Sequence, residues 1–82
     1  MPTYLVERYL PGRDRAWLEA AIRRVRRQRR RAAHLGSTYV PADDACFCRF
    51  EAETADDVRD ANEIAGFPFA RIVGAEEIGI GR

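Results

Sequence analysis

The chain has 82 residues, 46% of them hydrophobic, with 14 basic residues against 13 acidic ones and a net charge of +1. That length allows one domain, residues 1–82, with a small core that association with a second copy commonly completes; the apolar content excludes a disordered tail. No window approaches the roughly 18 apolar residues of a membrane span, and "MPTYLVERYLPG" has no basic start followed by an apolar run, so a cytoplasmic protein with no membrane partner is expected.

"TYLVERYL" (3–10) is rich in β-branched and aromatic residues and predicts a strand ended by Pro11-Gly12. Asp14 can cap a long helix over 14–33, with Leu18, Ala21, Ile22, Val25 and Ala32 inward and Trp17 at the rim. Gly36 is expected to stop that helix. "STYV" (37–40) predicts a short second strand, joined by the turn residues of "PADD" to a third in "ACFCRFEA" (45–52). Thr54 opens a second helix with Val58, Ala61, Ile64 and Ala65 inward, closed by Gly66. "ARIVGA" (70–75) is the last strand, and "EEIGIGR" is a short edge strand or a tail. The order β-α-β-β-α-β predicts a ferredoxin-like α+β fold: an antiparallel four-stranded sheet with both helices on one face. The bare face is then a candidate dimer interface.

Charge is divided along the chain. Residues 1–41 hold ten Arg against three acids, +7, and residues 42–82 hold four Arg against ten acids, −6. Every cation is Arg, as a GC-rich codon pool would give, and seven fall within residues 23–31. On the predicted helix they form a solvated face, with acidic partners expected on the second helix or a neighbouring subunit. The element order is also that of an RNA-recognition motif, but "ACFCRFEA" lacks that motif's glycine, and Cys48 or Arg49 occupies positions that should help build its stacking platform, so nucleic acid is not an expected partner.

Cys46-x-Cys48 poses the main chemical question. Alternation puts Cys46, Cys48 and Phe50 on one strand face and Phe47, Arg49 and Glu51 on the other. The uncharged set suits the helix-covered side, so the thiols read as small core residues, with metal ligation or redox chemistry as alternatives. His34 is the sole imidazole; it reads as a helix-end cation or as a surface ligand for Zn, Cu or Ni. The topology could bring Glu51, Glu53, Asp56 and Asp57 towards it. Asp43 and Asp44, at the hairpin tip, read as turn residues or as oxygen ligands. Glu7 could pair with Arg49 on the bare face.

The stretches "MPTYLVERYLPG", "STYV" and "CFCRFEAETADDVRDANEIAGFPFARIVGAEEIG" resemble a bacterial family of small, single-domain, nickel-binding or nickel-responsive proteins. The resemblance implies a ferredoxin-like homodimer that binds Ni²⁺. Cys48, not Cys46, matches the family pattern; related sequences carry a His in or near the second strand, where this chain has "GSTYV".

No Ser-His-Asp set, Gly-rich phosphate loop or HExxH motif occurs, and "PGRDRAW" lacks the CxxC of a soft-metal chaperone. The expected function is therefore non-enzymatic: a homodimer that sequesters a divalent metal, Ni²⁺, or handles metal stress. His34 is the first expected ligand, followed by Asp43, Asp44, Glu51, Asp56 and Asp57. The alternative is a small-molecule or enzymatic module like the dimeric α+β barrels, with a cleft at the sheet face lined by Tyr4, Glu7, Tyr39 and Arg49. Nucleic-acid binding by the Arg-rich helix is a third reading.

Overall fold

The computed structural model describes residues 1–80. Its elements run β1 (Thr3–Tyr9), α1 (Arg15–Arg26), β2 (Ala32–Val40), a 3₁₀ turn (Pro41–Asp43), β3 (Ala45–Ala52), α2 (Ala55–Ile64) and β4 (Arg71–Ala75). The strands form one antiparallel sheet in the order β2-β3-β1-β4. This is the expected ferredoxin-like α+β fold. No helix among the described residues is long and apolar enough to cross a membrane.

Alternation along the central strands sorts the residues. Val6, Arg8 and Leu10 from β1 and its end, and Cys46, Cys48, Phe50 and Ala52 from β3, are buried on one face. Leu18, Ala21 and Val25 of α1 and Val58 and Ala61 of α2 close over them, with Phe67 from the following loop. The predicted inward set of α2 needs one correction: Ile64 is 56% exposed, and Asn62 is fully buried in its place. At the other end of α2, the Thr54 hydroxyl accepts from the Asp57 N–H at 3.1 Å. Thr54→Ala should therefore cost about 1 kcal/mol, measurable by urea unfolding against Thr54→Ser, which keeps the acceptor.

The first helix is shorter than its pattern predicts. It ends at Arg26, and the Arg27 N–H bonds back to the Arg24 and Val25 carbonyls. Residues 27–31 are turns, and β2 begins at Ala32, five residues before the expected strand. Gly36 therefore does not stop a helix; it lies within β2, and His34 is a strand residue. Extending β2 satisfies backbone groups against β3 along its whole length, from Ala32 opposite Ala52 to Val40 opposite Ala45. The strand 70–75 is observed from Arg71, and residues 76–80 form no strand, so "EEIGI" is a tail; Gly81 and Arg82 lie outside the described residues.

The hairpin tip closes as its composition predicts. Pro41 opens the 3₁₀ turn, and Asp44 takes a left-handed conformation (φ 51°) to re-enter β3. The Leu10 N–H bonds the Asp44 carbonyl at 2.7 Å, tying the tip to the end of β1.

Candidate functional site

Position in the register decides what surrounds the cysteines. In β2 the pairing with β3 shifts between His34 and Gly36, leaving the exposed Leu35 as an extra residue. Without that bulge, residues 34 and 37 would point to opposite faces. With it, His34 stands opposite Phe50, Ser37 opposite Cys48 and Tyr39 opposite Cys46, all on the helix-covered side. Gly36 falls on the open side beneath Arg49, where a Cβ would meet the Arg49 Nη2 at 2.7 Å.

A continuous chain of polar contacts results. His34 Nε2 and Ser37 Oγ share a hydrogen bond of 2.7 Å. Ser37 Oγ lies 2.9 Å from Cys48 Sγ, and Cys46 Sγ is 4.0 Å from Cys48 Sγ on the other side. The His34 ring also packs edge-on to Phe50, with centroids 5.4 Å apart. Both thiols are free and buried, in agreement with the packing expectation. Their surroundings, however, are polar as well as apolar.

Arg8 makes the difference. It is 2% exposed and stands opposite Cys46 in the register, next to Val6 opposite Cys48. Its Nη1 donates to the Phe67 and Pro68 carbonyls, both at 3.2 Å, and its Nη2 donates to Asn62 Oδ1 at 2.6 Å. The guanidinium lies 3.4 Å above the Phe67 ring. Asn62 is held for this role by its own Nδ2, which donates to the Val58 carbonyl at 2.8 Å. Arg8 Nε has no acceptor, and no carboxylate pairs with the guanidinium among the described residues.

A buried guanidinium needs a counter-charge, and the thiol pair supplies it. Burial draws Arg8 below its usual range, and Cys48 and Cys46 oppose that pull. Cys48 is held well below the usual thiol range, first by a hydrogen bond from Cys46 and, against its burial, by His34, Arg8 and Ser37. Cys46 is pushed up, because it keeps the proton that it donates to its neighbour and because it is buried. Cys48 is thus the more acidic thiol of the pair, with Ser37 Oγ and Cys46 Sγ beside it and its charged form favoured by Arg8. Ser37, Tyr39 and Cys46 line a groove of about 450 Å³ between α1 and β2, which also includes Leu18, Ile22 and the Arg15–Glu19 ion pair.

The expected site residues separate. His34 joins Ser37 and Cys48. Asp43 and Asp44 lie at the hairpin tip, and Glu51 stands on the open sheet face opposite Thr3. Asp56 pairs with Arg59 at 2.7 Å, and the backbone of Asp57 serves the α2 cap. No group of three or more His, Cys, Asp or Glu side chains converges on a metal-sized space among the described residues. The cleft set also divides. Tyr4 and Tyr39 pack against the core under the helices, whereas Glu7 and Arg49 lie on the open face. Glu7 pairs with Arg71 at 2.9 Å and Arg49 with Glu77 at 3.5 Å, which corrects the expected Glu7–Arg49 pair. Sequence reasoning missed Arg8 and Asn62 as site residues. The signal for Arg8 was available, since alternation with Val6 and Leu10 aims it inward.

These features define a small ferredoxin-like α+β protein whose buried thiol pair is connected to an imidazole on an edge strand. The chain belongs to the SCO4226-like family of nickel-responsive proteins, which it matches over residues 4–74. Its fold is similar to the crystal structure of SCO4226 from Streptomyces coelicolor A3(2), with a TM-score of 0.78 and 17% identity, covering 98% of this chain and 99% of that one. No curated protein matches the sequence.

Proposed function

We propose that this protein binds nickel without catalysing a reaction, as a cytoplasmic homodimer that sequesters the ion or handles metal stress, and that His34 and Cys48 are its anchors. The observation that carries this reading is the contact chain His34–Ser37–Cys48, which sets an imidazole nitrogen and a sulfur held below the usual thiol range one hydroxyl apart. Imidazole suits nickel, and a ligating thiol must be deprotonated, a condition that Arg8 and Cys46 help to meet. Ser37 would yield its hydrogen bonds as the ion took its place between the two donors.

Approach from the hollow over His34 is opposed by Arg26 and Arg29, which line it. The groove between α1 and β2 reaches Ser37 and Cys46 without those arginines, and the Arg15 within it is already paired with Glu19. Asp43, Asp44, Glu51, Asp56 and Asp57 offer oxygen donors for weaker surface sites. The half-exposed Leu5, Phe47 and Val73 on the open sheet face, flanked by the Glu7–Arg71 and Arg49–Glu77 pairs, support the dimer.

Calorimetric titration of Ni²⁺ into the protein should show saturable binding. His34→Ala and Cys48→Ala should each weaken it at least about tenfold, or roughly 1.4 kcal/mol. Full affinity in both variants would sink the assignment and move the ion to the carboxylates. Absence of binding to the unmodified chain would sink the function itself.

A further inference from the structure

The arginines of residues 23–31 do not find the acidic partners that their number calls for. Arg24 is used within the fold, donating from Nε to the Ala65 carbonyl at 2.7 Å, and Arg31 reaches Asp60 at 4.0 Å. Arg23, Arg26, Arg27, Arg29 and Arg30 are exposed and make no side-chain hydrogen bond or ion pair among the described residues. Arg27 to Arg31 line a surface hollow of about 560 Å³, and Arg26 and Arg29 line an adjoining one of about 270 Å³ with Ala33 and His34. Because α1 stops at Arg26, these side chains do not spread around a helix. They crowd one end of the molecule, on the last turn of α1 and the turns that lead into β2.

The acids of the second half neutralise this end only in part: Glu51 stands opposite Ala33 and Asp60 reaches Arg31, but among the described residues none pairs with Arg23, Arg26, Arg27, Arg29 or Arg30. Asp43 and Asp44 follow the far end of β2, and a nine-residue strand at about 3.3 Å per residue puts them well beyond a Debye length of roughly 8 Å. Asp56 is engaged by Arg59, and Glu77 by Arg49. Five like charges held together without a paired acid repel one another in the folded protein, and an anion that bridges them relieves the repulsion.

We propose that this end of the molecule, Arg23, Arg26, Arg27, Arg29 and Arg30, docks the phosphate backbone of duplex DNA. Arginine forks hydrogen-bond phosphate oxygens in pairs, which suits an all-arginine patch. The composition of the surface favours a duplex over a membrane and over a single strand. Val25, the one apolar residue in the run, is fully buried, so nothing here inserts among acyl chains as an interfacial anchor must. No aromatic lies in residues 23–33, so no platform stacks the bases of a single strand. Without base-reading side chains other than arginine, the patch contacts backbone and does not select sequence. This inference is independent of the nickel site.

The test is fluorescence anisotropy of a short labelled DNA duplex with the whole protein, beside the fourfold variant Arg26→Gln, Arg27→Gln, Arg29→Gln and Arg30→Gln. These side chains are exposed and unpartnered, and removing their mutual repulsion favours the folded state, so the variant should unfold at a urea midpoint no lower than the parent's. With up to five phosphates neutralised, affinity for the duplex should fall roughly 10²- to 10³-fold between about 50 and 200 mM salt. The fourfold variant should bind at least about tenfold more weakly and show a shallower salt slope. No anisotropy change at about 50 mM salt would overturn the proposal. So would equal binding by the variant, tighter binding to the single strand than to the duplex, or binding to phosphatidylserine vesicles but not to DNA.

Discussion

Arg8→Ala should cost the fold about 3–5 kcal/mol, the range for removing one partner of a buried ionic network. A domain of this size has roughly 5–15 kcal/mol in all, so the variant should unfold at a clearly lower urea midpoint than the parent. The loss has three sources. Asn62 Oδ1 and the Phe67 and Pro68 carbonyls lose their donors. The Phe67 ring loses the guanidinium stacked on it. Cys48 loses one of the groups that hold its thiol below the usual range. Arg8→Met separates these effects, because it fills much of the same volume but carries neither donors nor charge. A double-mutant cycle with Cys48→Ala isolates the ionic part: Arg8→Met should cost about 1–3 kcal/mol less when Cys48 is already absent. Strict additivity in that cycle would show that Arg8 and Cys48 do not act as a pair.

The placement of Arg8 marks the limit of what the sequence discloses. Elements with strong local signals are legible: the β1 pattern, the Thr54 cap, the Pro41–Asp44 turn and the alternation that buries Cys46 and Cys48. The boundary between α1 and β2 is not. Arginine has good helix propensity, and "RRVRRQRRRAA" favours continuation of the helix on local grounds. The chain leaves the helix because β3 needs a partner from Ala45 to Ala52, and only a nine-residue β2 supplies it. That tertiary demand leaves no local trace, and it relocates His34 from a helix end to a strand. The bulge after His34 is equally hidden, since it depends on pairing, yet it brings His34 and Ser37 to one face. Reading the cysteines as core residues was sound for their burial. Their ionisation emerges only when Arg8, three strands' worth of register and the bulge are considered together.

Ionisation of Cys48 should make stability rise with pH across the acid and neutral range. In the unfolded chain a thiol titrates near about 8.5. Cys48 titrates lower than that in the folded protein, so below about 8.5 the unfolded state holds the extra proton and stability increases with pH. The contribution is complete above the unfolded value and is lost as pH falls through the folded one. Cys46 acts in the opposite sense: its thiol is pushed up, so above about 8.5 the folded state holds the extra proton and stability declines. The pair alone therefore places a stability maximum near pH 8.5, with a limiting slope of about 1.4 kcal/mol per pH unit on the acid side. Urea unfolding of the parent, Cys48→Ala and Cys46→Ala at about pH 5.5, 7, 8.5 and 9.5 reads these slopes directly. The difference in stability between the parent and Cys48→Ala should widen as pH rises to 8.5, and parallel curves for the two would remove the thiolate. Cys46→Ala should lack the alkaline decline. It should also weaken the acid-side rise, because Cys48 then loses the neighbouring thiol that holds it below the usual range. A nickel site that uses Cys48 would inherit the same proton: lowering the pH should weaken Ni²⁺ binding in the parent more steeply than in Cys48→Ala, as expected when the ion competes with a proton for that sulfur.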